Sequence, residues 1–320
     1  MNGFFNSRPF PLILGHRGTP THYQENTLAG FRKAKDLGAH GVELDVYMTR
    51  DEKIVVFHDE DTERLTGVKN LISQMTWDEV SKLNIQKSID RGDGTSVKYS
   101  QEHKIPLLEE VIWELPSDFL INIEMKAYAP DWNRRHTGTQ VAEIIRETAS
   151  QDRVIVTSFD FFMLEYLEKA CPEIHSGFAY DGSMLGGLGD WINRFVDQSE
   201  KQDHLLERTP SDNLLNRLLK HNLVGQFIQS TVVDAEHTLL DTDTVSAFHN
   251  RDMLVGAYTL FPEDRRYSGD GFSNHEQEAI RLAESGVDWI ESDDITRLLE
   301  ILEHAGHNDH LPDNYFNNVV

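Results

Sequence analysis

The chain has 320 residues, 39% hydrophobic and 26% charged, enough apolar material for a large core and too much to expect a disordered chain. A formal charge of −24 argues against nucleic acid and anionic membranes as partners, although a local basic site can still take a phosphate. Cys171 is the one cysteine, which excludes an intramolecular disulfide and a cysteine-rich metal site.

The chain opens MNGFFNSRPFPLILG, without the long apolar run of a signal peptide, and no window approaches the ~18 apolar residues of a membrane span. A soluble protein with no stable membrane insertion is therefore expected, cytoplasmic or else the mature form of a secreted chain. Its length suits a single α/β barrel, which commonly runs to roughly 250 residues.

Short apolar runs alternate with helix-period segments along the whole chain, with no composition break to mark a second domain. The runs that predict strands are Leu12–Gly15, Gly41–Val46, Phe119–Glu124, Val154–Thr157, Ile174–Tyr180, Val224–Ile228, Leu254–Tyr258 and Val287–Ile290. Between them the periodicity predicts helices at Thr27–Leu37, Leu107–Leu115, Gln140–Ala149, Phe161–Ala170, Asp212–His221, Glu236–Asn250 and Glu276–Glu284, with a last one at Ile295–Glu303. In the first helix Asn26 is the expected N-cap, Leu28, Phe31, Ala34 and Leu37 form the apolar stripe, and Gly38 suits the C′ position. Strands alternating with helices in this way argue for a parallel sheet, a closed barrel or an open doubly wound one.

Two stretches exceed an ordinary loop. One runs from Asp59 to Ile105, polar and turn-rich, between the second strand and the second helix. The other, Asp181–Thr209, opens GSMLGGLGD, which lacks the strand-then-GxGxxG context of a dinucleotide site and reads as a loop. The end of the chain, PDNYFNNVV, reads as a loose extension.

Chemistry concentrates where charges interrupt apolar strands. In GVELDV, Val42, Leu44 and Val46 share one face while Glu43 and Asp45 share the other. In FLINIEMKA, Leu120, Asn122, Glu124 and Lys126 share a face. Unpaired charge in a barrel interior costs several kcal/mol, so the cluster needs a partner. An all-oxygen set points to Mg2+, Ca2+ or Mn2+ rather than zinc. The competing expectation is a buried salt-bridge network in which Lys126 and an arginine neutralise the carboxylates. His16, in LILGHRG, and His58, in KIVVFHD, emerge at the same mouth and can exchange protons near neutral pH. Arg17 adds a planar fork suited to phosphate oxygens, and Gly18 lets the backbone turn beside it. A cation, two basic side chains and two histidines suggest phosphoryl chemistry.

These residues lie in an ordered set of motifs: GHRG at 15–18, ENT at 25–27, GVELDVYMTRDEKIVVFHD at 41–59, ERLTG at 63–67, IPLLEEV at 105–111, INIEMK at 121–126, VTSFD at 156–160 and GVDWIESDD at 286–294. The set closely resembles the glycerophosphodiester phosphodiesterases. The resemblance implies a single (β/α)8 TIM barrel over residues 1–320, with a small insertion subdomain at 59–105. It implies His16 and His58 as the catalytic pair, Glu43, Asp45 and Glu124 as ligands of one divalent cation, and Arg17 and Lys126 as phosphate-binding cations. It further implies hydrolysis of a small-molecule glycerophosphodiester to an alcohol and sn-glycerol 3-phosphate. Two positions depart from the family's pattern: Gln24 stands where a proline usually precedes ENT, and Tyr258–Thr259 replaces a tryptophan–threonine pair. Phe159, Tyr180, Tyr258 and Phe261 are candidate walls for the alcohol. The alternatives are a lysophospholipase D-like phosphodiesterase, a Mg2+-dependent lyase or isomerase, and a noncatalytic binding protein.

Overall fold

A computed structural model describes residues 2–6, 11–127, 132–185, 219–222, 225, 228–265 and 274–306. Its strands are β1 (Leu12–Gly15), β2 (Gly41–Met48), β3 (Ile54–Val56), β4 (Ser88–Asp90), β5 (Ser96–Lys98), β6 (Leu120–Met125), β7 (Val154–Ser158), β8 (His175–Tyr180), β9 (Val232–Glu236), β10 (Leu254–Leu260) and β11 (Trp289–Ser292). Eight of these, in the order β1, β2, β6, β7, β8, β9, β10 and β11, pair in parallel, and β11 returns to β1 to close a (β/α)8 barrel. Strand β3 runs antiparallel on the outer edge of β2, and β4 and β5 form a separate hairpin.

The alternation of each barrel strand sorts its side chains into two cores. Ile13, Val42, Leu44, Ile121, Ile123, Val156, Val233 and Ile290 face outward into the layer beneath the helices. Leu12, Leu14, Leu120, Ile155, Val232 and Trp289 fill the lower interior of the barrel, where Phe4 closes the floor. Phe4 meets Trp289 edge to face at 5.7 Å. Asn2 anchors this plug by donating its side-chain amide to the carbonyls of Gln151 and Val154. Gly256 makes room for the indole: a Cβ there would lie 1.9 Å from the Trp289 ring.

Helices α1 (Leu28–Asp36), α4 (Leu108–Glu114), α5 (Thr137–Glu147), α6 (Phe161–Ala170), α7 (Thr242–His249), α8 (His275–Ser285) and α9 (Ile295–His304) follow strands around the barrel, and the short α2 (Glu63–Thr66) and α3 (Trp77–Val80) lie in the 59–105 segment. Three expectations need correction. The sixth barrel strand is Val232–Glu236; of Val224–Ile228, Gly225 and Ile228 are not in a strand and the rest lies outside the described residues. Val224, Phe227 and Ile228 give that stretch its apolar character, whereas the true strand carries Asp234 into the polar middle of the barrel. The helix expected from Glu236 starts at Thr242, because Glu236 ends β9 and the Asp241 side chain caps Thr244 N–H. The cap of α1 is Thr27, whose Oγ1 accepts from Gly30 N–H, since Asn26 sits at φ 56° with its side chain committed to Asp45. The expected helix at Asp212–His221 is described only from residue 219, and the Asp181–Thr209 insertion beyond Leu185 and the tail beyond Gly306 lie outside the described residues. Among the described residues no helix is long and apolar enough to cross a membrane.

The 59–105 segment packs over the loops at the mouth. Gln24, the residue in place of the family's proline, is buried and donates to the carbonyls of Gln86 and Gln101. Tyr99 donates its hydroxyl to Pro20 O, and Arg91 reaches Glu263 beyond β10. The segment thereby ties the loop after β1 to the loop after β10.

Candidate active site

Glu43 and Asp45 point inward from β2, in register with Asn122 and Glu124 on β6. Glu43, Asp45 and Glu124 each present an oxygen, and these lie within 4.8 Å of one another, a span that the oxygens around one small cation adopt. Lys126 answers part of the charge, 2.7 Å from Glu124 Oε1 and 3.2 Å from Asp45 Oδ1. Arg17 supplies another part, with Nε 3.3 Å from Asp45 Oδ2 and Nη1 donating to Glu25 Oε1 at 3.1 Å. Burial works against ionising both cations, but Glu124 and Asp45 for Lys126, and Asp45, Glu25 and Glu43 for Arg17, outweigh it and keep them charged.

This is the salt-bridge network that the sequence raised as a competing expectation, and it is incomplete. Burial favours the neutral acid at Asp45, yet Lys126, His58 and Arg17 hold its pKa below the usual range. At Glu43 the compensation falls short: burial, then Asp45, Glu291 and Glu124, push its pKa well up against the opposing pull of Arg17. Its Oε2 accepts from Arg17 N–H, while Oε1 is buried and accepts nothing. A cluster short of positive charge, with an orphaned inward-facing carboxylate oxygen, fits a hard divalent cation.

The backbone aims these groups. Arg17 sits at φ 52° and Gly18 at φ 94°, a reversal that turns the guanidinium back over the barrel end. The left-handed region costs a side-chain-bearing residue roughly 1–2 kcal/mol, and at Arg17 the contacts to Glu43, Asp45 and Glu25 offset it. Asn26 braces Asp45, donating from Nδ2 to Oδ2 at 2.8 Å and accepting from Asp45 N–H at 3.2 Å.

His16 leaves β1 with Nδ1 2.6 Å from Asp293 Oδ1 and Nε2 3.9 Å from Glu43 Oε2. His58 follows β3, which folds back along β2 so that Phe57 N–H reaches Asp45 O. Its Nδ1 is 2.7 Å from Asp59 Oδ1. Each imidazole is thus held on one nitrogen by a carboxylate, the device that fixes ring orientation for proton transfer through the other. Burial, then Arg17 and Lys126, lower the His58 pKa to about 4.

Behind His58 stands a layer with no role expected from sequence. Arg64 donates Nε and Nη2 to Asp59 and Nη1 and Nη2 to Glu25, with distances of 2.6–3.0 Å. Glu25 in turn holds Arg17. Among the described residues Glu25, His58 and Asp59 form a second group with metal-ligand spacing, but the Arg64 guanidinium already satisfies its two carboxylates. Glu25, Asp59, Arg64 and Asp293 were inside the motifs ENT, HD, ERLTG and ESDD that carry the resemblance, so the signal existed without the assignment.

Beneath the cation cluster lies a buried polar layer that sequence reasoning also missed. Asn122 donates to Asp234 Oδ2 at 2.9 Å and Glu291 Oε1 at 2.8 Å, and accepts from Thr157. Asp234 and Glu291 also hydrogen-bond each other. Burial, with Glu43 and Glu124 adding and the bonds from Glu291 and Asn122 opposing, raises the Asp234 pKa from 3.8 to about 7. The native chain therefore holds a proton that the unfolded chain releases between those values, and it loses stability as pH rises through this window. Asp234→Asn should be more stable than the parent at pH 8, by about 1 kcal/mol or more, and the gain should shrink toward pH 4. Melting temperatures in chelator at several pH values check this; a pH-independent difference would refute it.

The comparisons with known proteins agree with this geometry. A glycerophosphodiester phosphodiesterase of Caldanaerobacter subterraneus subsp. tengcongensis is 36% identical over 179 residues, 54% of this chain and 68% of that protein. Across the first curated relatives the match spans only 63–68% of their length. Among solved structures, an Oleispira antarctica phosphodiesterase in complex with the product sn-glycerol-3-phosphate superimposes with a TM-score of 0.65 at 21% identity, covering 92% of this chain and 97% of that one. A glycerophosphodiester phosphodiesterase from Thermotoga maritima gives 0.59 at 23% identity, covering 91% and 98%. At such identities the structures establish the fold. The family model for the glycerophosphoryl diester phosphodiesterases matches residues 16–297, and the chain belongs to that family.

Proposed function

We propose that the protein hydrolyses glycerophosphodiesters to an alcohol and sn-glycerol 3-phosphate, with one divalent cation, Mg2+ or Ca2+ (Mn2+ as a third option), held by Glu43, Asp45 and Glu124. The observation that carries the reading is the convergence of Arg17 and Lys126 on Asp45, within a triad of carboxylates at metal-ligand spacing that is flanked by two carboxylate-braced histidines. When bound, the cation supplies Lewis-acid charge to the phosphoryl oxygens. Arg17 and Lys126 bind the remaining phosphate charge and orient the diester.

His16 and His58 move the protons. We assign His16 as the base that takes the proton of the nucleophile as the new P–O bond forms; the nucleophile is either water, which gives sn-glycerol 3-phosphate directly, or the glycerol 2-hydroxyl, which gives a cyclic phosphate that water then opens. His58 donates a proton to the alcohol oxygen as the old P–O bond breaks. In the free enzyme Arg17 and Lys126 help to keep His58 neutral. A phosphate anion placed on those two side chains offsets them, so His58 gains its proton as substrate binds.

Chelated enzyme reloaded with each metal should release sn-glycerol 3-phosphate from glycerophosphocholine or glycerophosphoethanolamine, and His16→Ala should lose about 10^2-fold or more of that rate. Absence of release with every metal, or full activity in the variant, would refute the reading.

A further inference from the structure

The two histidines are braced alike at the first step and differently at the second. Asp59, which holds His58, accepts directly from the Arg64 guanidinium. Asp293, which holds His16, is buried and pairs with no lysine or arginine among the described residues. Its Oδ1 lies 2.6 Å from His16 Nδ1, and its Oδ2 accepts from the backbone N–H of Glu263 at 2.5 Å. Both oxygens are therefore committed. The plane of the carboxylate, and with it the angle at which Oδ1 meets the imidazole, depends on where the loop after β10 carries residue 263.

That loop is held from outside the barrel. The Glu263 side chain accepts from Arg91 Nη2, and Arg265 N–H donates to Arg91 O at 2.7 Å, so a single residue grips both the side chain and the backbone. Arg91 stands just beyond β4 in the 59–105 segment, where its N–H reaches Thr95 O at 3.0 Å across the turn of the hairpin. The pair joins positions 172 apart, and its side chains are only 29% and 17% exposed, which limits screening by water. Burial and Asp293 push the Glu263 pKa up, while Arg91 and Arg265 pull it down. Without Arg91, two carboxylates of like charge would share the place where this loop meets Asp293. Turning Glu263 out to solvent relieves that repulsion, and the same rotation withdraws its N–H from Asp293.

The segment thus stands behind each histidine with one arginine, Arg64 acting through Asp59 and Arg91 acting through Glu263 and Asp293. Resting on the hydrolytic function proposed above, in which His16 is the base, we infer that Arg91 and Glu263 are positioning residues whose ion pair clamps the loop after β10 and so fixes the Asp293 carboxylate that orients His16. Neither side chain needs to touch the diester. Their effect falls on the proton-transfer step, and the affinity for substrate is set elsewhere, by Arg17, Lys126 and the cation.

In Arg91→Met, kcat for glycerophosphocholine should fall about tenfold while KM stays within about twofold. Since a single nitrogen, Nη2, makes the contact with Glu263, Arg91→Lys should recover most of the rate. Glu263→Ala should reproduce the loss from the other side, and the double variant should lose no more than either single one. Proton NMR reads the geometry without turnover. The Nδ1 protons of His16 and His58, each on a short bond to a carboxylate, should give two far-downfield resonances, assigned by His16→Ala and His58→Ala. In Arg91→Met and in Glu263→Ala the His16 resonance should broaden into exchange with water while that of His58 stays. An unchanged kcat, a loss confined to KM, losses that multiply in the double variant, or two resonances that vanish together would each overturn the clamp. If the wild type hydrolyses no diester, the hydrolytic reading fails, and the His16 resonance in the variants still decides the clamp: its retention refutes it and its selective loss upholds it.

Discussion

Glu43→Gln should lower glycerophosphodiester hydrolysis by about 10^3-fold and at the same time make the metal-free protein more stable. The two effects share one cause. Glu43 is buried, lies beside Asp45, Glu124 and Glu291, and leaves Oε1 without a hydrogen-bond partner. Its pKa is raised in the folded protein, so ionising it costs stability that is lost as pH climbs above the ordinary range of a glutamate. Glutamine removes the charge, while its amide oxygen still accepts from Arg17 N–H. The relief should be on the order of 1 kcal/mol or more at neutral pH. In the wild type an added divalent cation should provide the same relief, raising the melting temperature in a concentration-dependent way. The Glu43→Gln protein should be more stable in chelator and respond weakly to the ion. A variant whose melting temperature still climbs with Mg2+ or Ca2+ as the parent's does would show that Glu43 is not part of the ion's cradle.

The barrel was legible in sequence wherever local periodicity and tertiary demand agree. Helix α6 falls on its expected span, Phe161–Ala170, and β1 on Leu12–Gly15, because an apolar stripe or run there is uninterrupted. β9 was missed because Asp234 breaks its apolar pattern, and that aspartate is placed by Asn122 and Glu291, partners 112 and 57 positions away, rather than by its neighbours. The same rule sorts the site. Glu43, Asp45, Glu124 and Lys126 stood out since charge inside a strand is costly enough to demand explanation from sequence alone. Arg64, Glu25 and Asp59 lie in loops and a short helix, where charge is ordinary. Their pairing is a property of the folded mouth, as is the meeting of His16 and Asp293 across 277 positions. Asn26 shows the limit most sharply: the residue type suited a helix cap, but its amide was already taken by Asp45.

Arg64→Ala carries the second large effect, since one guanidinium joins the support of His58 to that of Arg17. Removing it leaves the buried Glu25 and the half-buried Asp59 without their shared cation. Breaking a buried pair in this way costs about 3–5 kcal/mol, and kcat should fall by about 10^2-fold as Asp59 ceases to hold the imidazole and Glu25 ceases to hold Arg17. Arg64→Lys restores the charge but not the fork, so it should recover stability in part and activity little. The pH dependence separates this role from general damage. Burial would raise the Glu25 pKa, but Arg64 and then Arg17 lower it from 4.5 to about 2. A depressed carboxyl contributes stability that is complete above its unfolded value and is lost as pH falls toward its folded one. The stability gap between wild type and Arg64→Ala should therefore be full near pH 6 and narrow steadily below pH 4.5, down to the lowest pH at which both remain folded. Denaturant unfolding across that range measures it. A gap that stays constant with pH would place the loss in packing, and a kcat that survives the substitution would separate Arg64 from the histidine it is argued to position.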